Sequence, residues 1–262
     1  MSAWILLRGL ARESRHWGEL PERLCAGGLE GEIVGVDLPG SGRYVRARAP
    51  ANIVETTGFL RARLAERGGA PPYCVVALSL GGMVAVDWAQ RFPDEIERVV
   101  LINTSMGRYG RLVERMRPSA WPLIARAAWR WRWRDRRRAE GAIHALTCAR
   151  TDTLEADLDA WVGIYRNAPP TRANVLRQLL AAARFHGPLD APRCPTLVLA
   201  SRGDALVHPT CSAKLAAAWG ATLIEHPWAG HDLAHDDPAW LADTIAGWVG
   251  SALAVKALPT SA

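Results

Sequence analysis

The amino-acid sequence predicts an open, doubly wound α/β sheet, and two observations support this fold class. Short β-rich apolar runs of four to six residues recur without two-residue alternation, which is typical of parallel strands buried on both faces. Stretches with helical apolar spacing separate these runs. Strand and helix alternate over residues 4–105 and again over 196–250, so we expect a mostly parallel sheet flanked by helices.

The individual elements follow from these two periodicities. The predicted strands share a short, continuous apolar character and cover residues 4–7, 33–37, 73–78, 99–102, 196–200 and 222–225. The predicted helices share apolar spacing of three and four residues and cover residues 53–67, 83–92, 211–219 and 240–248.

The middle of the chain differs in composition from both flanking parts. Residues 107–190 contain no convincing strand and are rich in Ala, Leu, Trp and Arg, with breaks at Pro118, Pro122 and Pro169. We therefore expect a helical lid inserted at 107–190 between two parts of one core, at 1–106 and 191–250. Residues 251–262 are expected to form a loose tail.

Length and composition exclude several classes of protein. The chain has 262 residues, of which 49% are hydrophobic, a balance typical of globular proteins rather than of disordered chains. No apolar run approaches the roughly 20 residues that span a bilayer. The only apolar stretch before Arg8 is residues 4–7, too short for a secretory signal, so a cytoplasmic location is expected.

The five cysteines are scattered, and none forms a Cys-x-x-Cys pair. This pattern indicates reduced thiols rather than a disulfide framework or a structural zinc site. Another candidate metal cluster comprises His226, His231 and His235, with acidic residues between them. Their spacing does not place all three on one helical face, so no metal is expected.

The charge is unevenly distributed. Thirty of the 32 basic residues are Arg, a bias that suggests a GC-rich bacterial genome rather than a function. Residues 126–138 contain seven Arg and one acid, so this segment accounts for the whole formal net charge of +6.

The segment around Ser79 has the layout of a nucleophile elbow. A predicted buried strand runs directly into Ser79 and a helix follows at once, with Ala77 and Gly81 two residues to either side. Such a tight turn requires small residues at those two positions. The serine would stand at the carboxyl end of its strand, and the backbone N–H of Leu80 would face the same space as an oxyanion donor. The alternative is an ordinary turn with a capping serine.

A serine needs a base to become a nucleophile, and the sequence supplies a histidine and an acid in suitable places. Asp204 follows the strand predicted at 196–200, and His231 follows the strand predicted at 222–225. The carboxyl ends of parallel strands are where open α/β sheets place functional groups. Together with Ser79 these residues predict a catalytic triad.

These motifs, in this order, resemble the α/β-hydrolase superfamily, and the resemblance covers residues 4–250 apart from the lid. Leu6 to Leu10 resembles the strand end whose following apolar residue gives the second oxyanion donor, which implies that role for the Leu10 backbone N–H. Asp37 to Gly42 resembles the turn after the next strand. Since the family's dehalogenases and epoxide hydrolases use Asp at the elbow, Ser79 implies acyl transfer instead.

Two departures from the family pattern bear on the site. Arg8 stands where the family usually has histidine, which puts the hydrogen bonding around the oxyanion loop in question. The antiparallel hairpin that usually precedes the first strand is missing, so the sheet should be shorter at one edge.

Three interpretations remain open for the lid segment from Trp129 to Arg138. Trp129 and Trp133 would share one helical face and pack on the core, with Arg136, Arg137 and Arg138 solvated. Alternatively, the arginines could meet an acidic carrier protein, as the resemblance to pimeloyl-carrier-protein methyl ester esterases implies, or an anionic membrane surface. Nucleic acid is the least favoured partner, because no recognised binding motif accompanies the basic run.

The sequence thus predicts a serine hydrolase that cleaves a small or medium acyl ester without a cofactor. Two alternatives stay open, which are a hydrolase of carrier-bound or coenzyme-bound acyl groups and a non-catalytic binding member of the fold. No dinucleotide fingerprint or P-loop is present, so no nucleotide cofactor is implied.

Overall fold

The computed structural model describes residues 2–122 and 135–257, with side chains up to residue 251. Six strands form one sheet, and each lies where the sequence predicts it to within three residues. They are β1 (Ala3–Leu7), β2 (Ile33–Val36), β3 (Tyr73–Leu78), β4 (Ile96–Ile102), β5 (Thr196–Ser201) and β6 (Thr222–His226).

The helices of the described residues fall into two groups, those that flank the sheet and those between β4 and β5. In chain order they are α1 (Leu20–Ala26), α2 (Ile53–Glu66), α3 (Leu80–Arg91), α4 (Leu112–Arg115), α5 (Arg136–Thr147), α6 (Leu154–Asn167), α7 (Arg172–Arg184), α8 (Thr210–Trp219), α9 (Leu233–Asp236) and α10 (Pro238–Ala257). We call the segment that carries α4 to α7 the cap.

The sheet has the order β2-β1-β3-β4-β5-β6, and every neighbouring pair is parallel. All six residues of β3 are buried, as expected for a central strand covered on both faces. The predicted fold class is therefore confirmed. Because all strands run the same way, their carboxyl ends meet at one edge, where the loops after β1, β3, β4, β5 and β6 come together.

Two apolar clusters fill the space between the sheet and its helices. One contains Leu60 of α2, Val84 of α3 and Leu215 of α8, and the other contains Leu24 of α1 and Leu241 of α10 on the opposite face. Each cluster takes alternate residues of the strands, such as Val75 and Val76 of β3. The core therefore holds β3 rigidly from both sides and fixes the direction in which its end points.

The C-terminal segment differs from its prediction. Helix α10 continues to Ala257, so residues 251–257 are helical and do not belong to a loose tail. Ala252, Leu253 and Ala254 are strong helix formers, which favours continuation of the helix beyond Val249, a residue that packs against the core. Among the described residues, no helix has both the length and the apolar character needed to cross a membrane.

Candidate active site

The turn between β3 and α3 carries Ser79 in an unusual backbone conformation. Its φ is +56° and its ψ is −114°, a region that residues with a side chain rarely occupy and that costs about 1–3 kcal/mol. A Cβ added to Gly81 would lie 2.4 Å from the carbonyl oxygen of Leu7 and 2.8 Å from that of Arg8. The small residue predicted at 81 is therefore required, because the turn packs directly on the end of β1.

Hydrogen bonds to the main chain of Ser79 hold this turn in place. The Ser79 N–H donates to the carbonyl of Ile102 at 2.9 Å, and the Thr104 hydroxyl donates to the Ser79 carbonyl at 2.8 Å. A Cβ on Gly82 would meet Thr104 Oγ1 at 2.7 Å, so Gly82 is also fixed by close approach. The end of β4 thus stabilises the strained conformation that the elbow pattern predicts.

Asp204 and His231 meet at the same edge of the sheet. His231 Nδ1 lies 2.7 Å from Asp204 Oδ2, and both side chains are buried. The other carboxylate oxygen of Asp204 accepts the backbone N–H groups of Leu206 and Val207, each at 2.8 Å. These contacts leave Oδ2 for the imidazole, which orients the ring and leaves Nε2 for another partner.

Arg8 pairs with the residue that follows His231. Its guanidinium donates two hydrogen bonds to the carboxylate of Asp232, at 2.9 and 2.5 Å, and both side chains are almost fully buried. Burial raises the pKa of Asp232, but the charge and hydrogen bonds of Arg8 outweigh it and hold the pKa below its ordinary value. Arg8, which stands where the family usually has histidine, therefore connects the loop after β1 to the loop of His231 through a buried ion pair.

Asn103 is a buried polar residue that sequence analysis did not single out as functional. Its amide donates to Ser201 Oγ and to the His231 carbonyl, each at 2.9 Å, while its Oδ1 accepts the Ser201 N–H at 2.8 Å. Its φ of +47° lies in the left-handed region, which Asn tolerates better than most residues. Asn103 thus connects the loops of Asp204 and His231. The sequence signal that could have identified Asn103 is its position directly after the buried strand β4.

The two predicted oxyanion residues border the space in front of the serine. Leu10, Ser79 and Leu80 line one cavity of about 440 Å³. Leu80 is the first residue of α3, where backbone N–H groups lack partners within the helix. Gly9 also comes close, since a Cβ there would lie 3.3 Å from the Cβ of Ser79. The loop after β1 and the start of α3 therefore face the same cavity.

The predicted lid residues fall into two groups. Trp129 and Trp133 lie outside the described residues. Arg136, Arg137 and Arg138 lie at the start of α5, and each pairs with a carboxylate of the cap: Arg136 with buried Glu140, Arg137 with Glu155 and Asp159, and Arg138 with Asp135. Arg136 is mostly buried rather than solvated, whereas Arg137 and Arg138 are exposed.

The three histidines considered as a metal cluster turn toward three different carboxylates. His226 Nε2 lies 3.3 Å from Asp237, His231 contacts Asp204, and His235 Nε2 lies 3.3 Å from Asp157 of the cap. Although these three histidines are close in sequence, their side chains do not converge on one metal site.

Comparison with known proteins places these features in a family. The sequence profile of the alpha/beta hydrolase family matches residues 4–244. A pimeloyl-[acyl-carrier protein] methyl ester esterase of Aromatoleum aromaticum is 29% identical over 228 residues, covering 84% of each chain. A candidate carbamate hydrolase of a Caulobacter species is 26% identical over 235 residues, covering 87% of this chain and 82% of the relative.

Solved structures agree with the fold. A thermophilic esterase from Thermogutta terrifontis superposes with a TM-score of 0.72 at 21% identity, over 96% of this chain and 90% of that one. The fold, the strained turn at Ser79 and the profile match over most of the chain lead to one conclusion. This protein belongs to the alpha/beta hydrolase family.

Proposed function

We propose that this protein is a serine hydrolase that cleaves a carboxylic ester through an acyl-enzyme on Ser79. The observation that carries the proposal is the strained conformation of Ser79 beside an apolar cavity. A strained residue persists only where the surrounding structure imposes it, and such residues cluster at functional sites. The methyl ester esterase named among the relatives supports an ester as the substrate.

In the proposed mechanism His231 is the general base and Asp204 positions it. The hydrogen bond from Nδ1–H to Asp204 Oδ2 places the ring proton on Nδ1, so Nε2 carries the lone pair that takes the serine proton. The buried carboxylate then stabilises the imidazolium that forms. The oxygen of Ser79 attacks the ester carbonyl, and a tetrahedral oxyanion results.

The backbone N–H groups of Leu10 and Leu80 are the proposed donors to that oxyanion. Each such donor contributes roughly 10²- to 10³-fold in rate. His231 returns its proton to the leaving alcohol, which departs as the carbonyl re-forms on Ser79. Water, deprotonated by the same imidazole, then attacks the acyl-enzyme and releases the carboxylic acid.

The cavity suggests the class of acyl group. Its polar lining residues are Ser79, Ser105, Arg115 and Arg172. The rest of the lining is aliphatic side chains and thioethers from α3, from the cap and from the loops after β1 and β5, such as Met83, Leu146 and Leu206. Its volume of about 440 Å³ lies within the range of ordinary small-molecule sites. We infer that the substrate is an ester of a medium-length, apolar acyl chain.

Labelling with a fluorophosphonate, read by intact mass, tests the nucleophile directly. We expect one adduct on the parent protein and none on Ser79→Ala, with 4-nitrophenyl ester turnover reduced by about 10⁴-fold or more in the variant. Ser105→Ala, which changes another serine at the cavity, is the matched control and should keep the adduct.

The same proteins then test the acyl class with 4-nitrophenyl esters of two to twelve carbons. We expect kcat/KM to rise from acetyl to medium chains. Labelling or turnover retained by a folded Ser79→Ala would overturn the serine mechanism, while a preference for acetyl would overturn the inferred acyl class alone.

A further inference from the structure

A cluster of potential metal ligands lies behind the His231 loop, at the contact between the cap and the core. His144 lies in the last turn of α5, Cys148 caps the end of that helix, and His235 lies in α9. One nitrogen or sulfur atom from each lies within 4.8 Å of the others. Two segments that are distant in sequence, the end of α5 and the short helix α9, thus direct ligand atoms to one point.

Two ring nitrogens of this cluster have no hydrogen-bond partner. His144 is 1% exposed, and its Nε2 is buried without a partner, as is Nε2 of His235. Buried polar atoms are usually paired, because leaving one unpaired forfeits its hydration without compensation. Both nitrogens face the carboxylate of Asp157, but neither makes a hydrogen bond with it, so each is available to a metal ion.

A carboxylate lies beside the two histidines of the cluster. Asp157 Oδ2, on α6, lies 3.7 Å from Nε2 of His144 and 3.3 Å from Nε2 of His235. The hydroxyl of Thr153 donates to the same oxygen at 2.7 Å and fixes its position. Metal-binding carboxylates commonly receive such an outer hydrogen bond.

We propose that His144, Cys148, His235 and Asp157 bind one zinc ion. Two imidazoles, a thiolate and a carboxylate form a set of four nitrogen, sulfur and oxygen ligands, which suits the tetrahedral coordination of structural zinc. Ligand atoms about 2.0–2.3 Å from the ion stand roughly 3.3–3.8 Å apart, so the atoms of His144, Cys148 and His235 need to approach one another by about 1.5 Å at most.

Such an ion would fasten the cap to the loop that carries His231. Hydrogen bonds already join these segments: Asp232 N donates to the Thr147 carbonyl at 2.7 Å, and the backbone N–H groups of Ala149 and Arg150 donate to the carboxylate of Asp236 at 2.9 and 3.0 Å. The ion would add a crosslink among α5, α6 and α9, four residues after His231. This role is structural and does not depend on the proposed ester hydrolysis.

The experiment uses the full chain, stripped with a chelator and then loaded with Zn²⁺ or Co²⁺. After dialysis we expect close to one metal per chain by elemental analysis and a higher unfolding temperature for the zinc form. The Co²⁺ form should show a near-ultraviolet thiolate-to-cobalt band and visible bands of tetrahedral intensity.

Variants assign the ligands. Cys148→Ser should abolish the thiolate band, and the control Cys211→Ser, which changes a free thiol outside the cluster, should keep it. His144→Gln should weaken metal binding by more than the roughly 10- to 100-fold that loss of an outer-shell partner costs. A parent protein that retains no metal, or a thiolate band that survives Cys148→Ser, would overturn the proposal.

Discussion

The loops at the carboxyl edge of the sheet and the cap above them are held by different interactions. Beneath the loops the sheet is buried in aliphatic side chains, and the few polar groups, such as Arg8 with Asp232, are paired and almost fully buried. One of the contacts between the cap and the core is Glu140, which accepts from Arg12 of the core and from Arg136 of the cap. The cap also carries exposed pairs such as Arg137 with Glu155.

The difference shows how each region keeps its geometry. Apolar burial is non-directional, so it holds strands firmly but does not orient a side chain. The buried ion pair and the hydrogen bonds of Asn103 provide that orientation around His231. The exposed pairs of the cap, such as Arg137 with Glu155, join α5 to α6 and are weak in water, so their loss should cost little stability. We expect substitutions in the two regions to differ accordingly.

The largest effect is expected from Arg8→Met. It would leave the carboxylate of Asp232 buried without a counter-charge, which should destabilise the protein by about 3–5 kcal/mol in urea unfolding. The double variant Arg8→Met, Asp232→Leu should recover much of this loss, because neither charge is then left unpaired. A single variant within about 1 kcal/mol of the parent would show that the two regions do not differ as described.

A smaller effect is expected from Glu140→Gln at the contact between cap and core. The amide oxygen can still accept from one guanidinium, so the loss should be about 1–2 kcal/mol, seen chiefly as faster proteolysis of the cap. Arg137→Ala, which removes exposed pairs on the same helix, is the matched control and should leave both readouts unchanged. Equal proteolysis of the two variants would contradict the role assigned to Glu140.

The smallest effect concerns pH and His16, which lies between the two regions. Burial lowers the pKa of His16 well below its usual value, and the nearby charge of Arg12 lowers it further. Arg12 Nη1 lies 3.1 Å from Nε2, and since a guanidinium only donates, the ring accepts there and is neutral. The unfolded chain therefore binds a proton that the folded protein excludes.

His16 should therefore leave the free energy of unfolding unchanged above about pH 6.5. As the pH falls below that value, the free energy of unfolding should decrease by at most about 1.4 kcal/mol per pH unit. His16→Gln should show a flatter profile between pH 7.5 and 5 in urea unfolding, because its amide can accept from Arg12 without titrating. An unchanged slope in the variant would exclude His16 as the group responsible.

Sequence reasoning located the strands and the elbow because both depend on local patterns. Continuous apolar runs identified β3 and its neighbours, and a small residue at 81 was required by the close approach of β1. The order of Ser79, Asp204 and His231 identified the loops, and the structure places Asp204 and His231 in hydrogen-bonding contact.

Contacts between distant charged or polar side chains could not be predicted in the same way. Arg8 is 224 residues from Asp232, and Arg12 is 128 residues from Glu140, so no spacing rule links either pair. The cluster of His144, Cys148 and His235 could not be predicted for the same reason, because His235 meets the other two only when the cap folds onto the core. A short window of sequence around one residue of such a pair contains no information about the other residue.

The backbone conformation of Ser79 costs the folded protein some stability. A glycine at position 79 would adopt φ +56° without penalty, so the parent serine is a residue that the fold itself does not prefer. The strained serine costs about 1–3 kcal/mol, whereas the net stability of a typical domain is only about 5–15 kcal/mol. For stability alone, glycine would therefore be favoured over serine at this position.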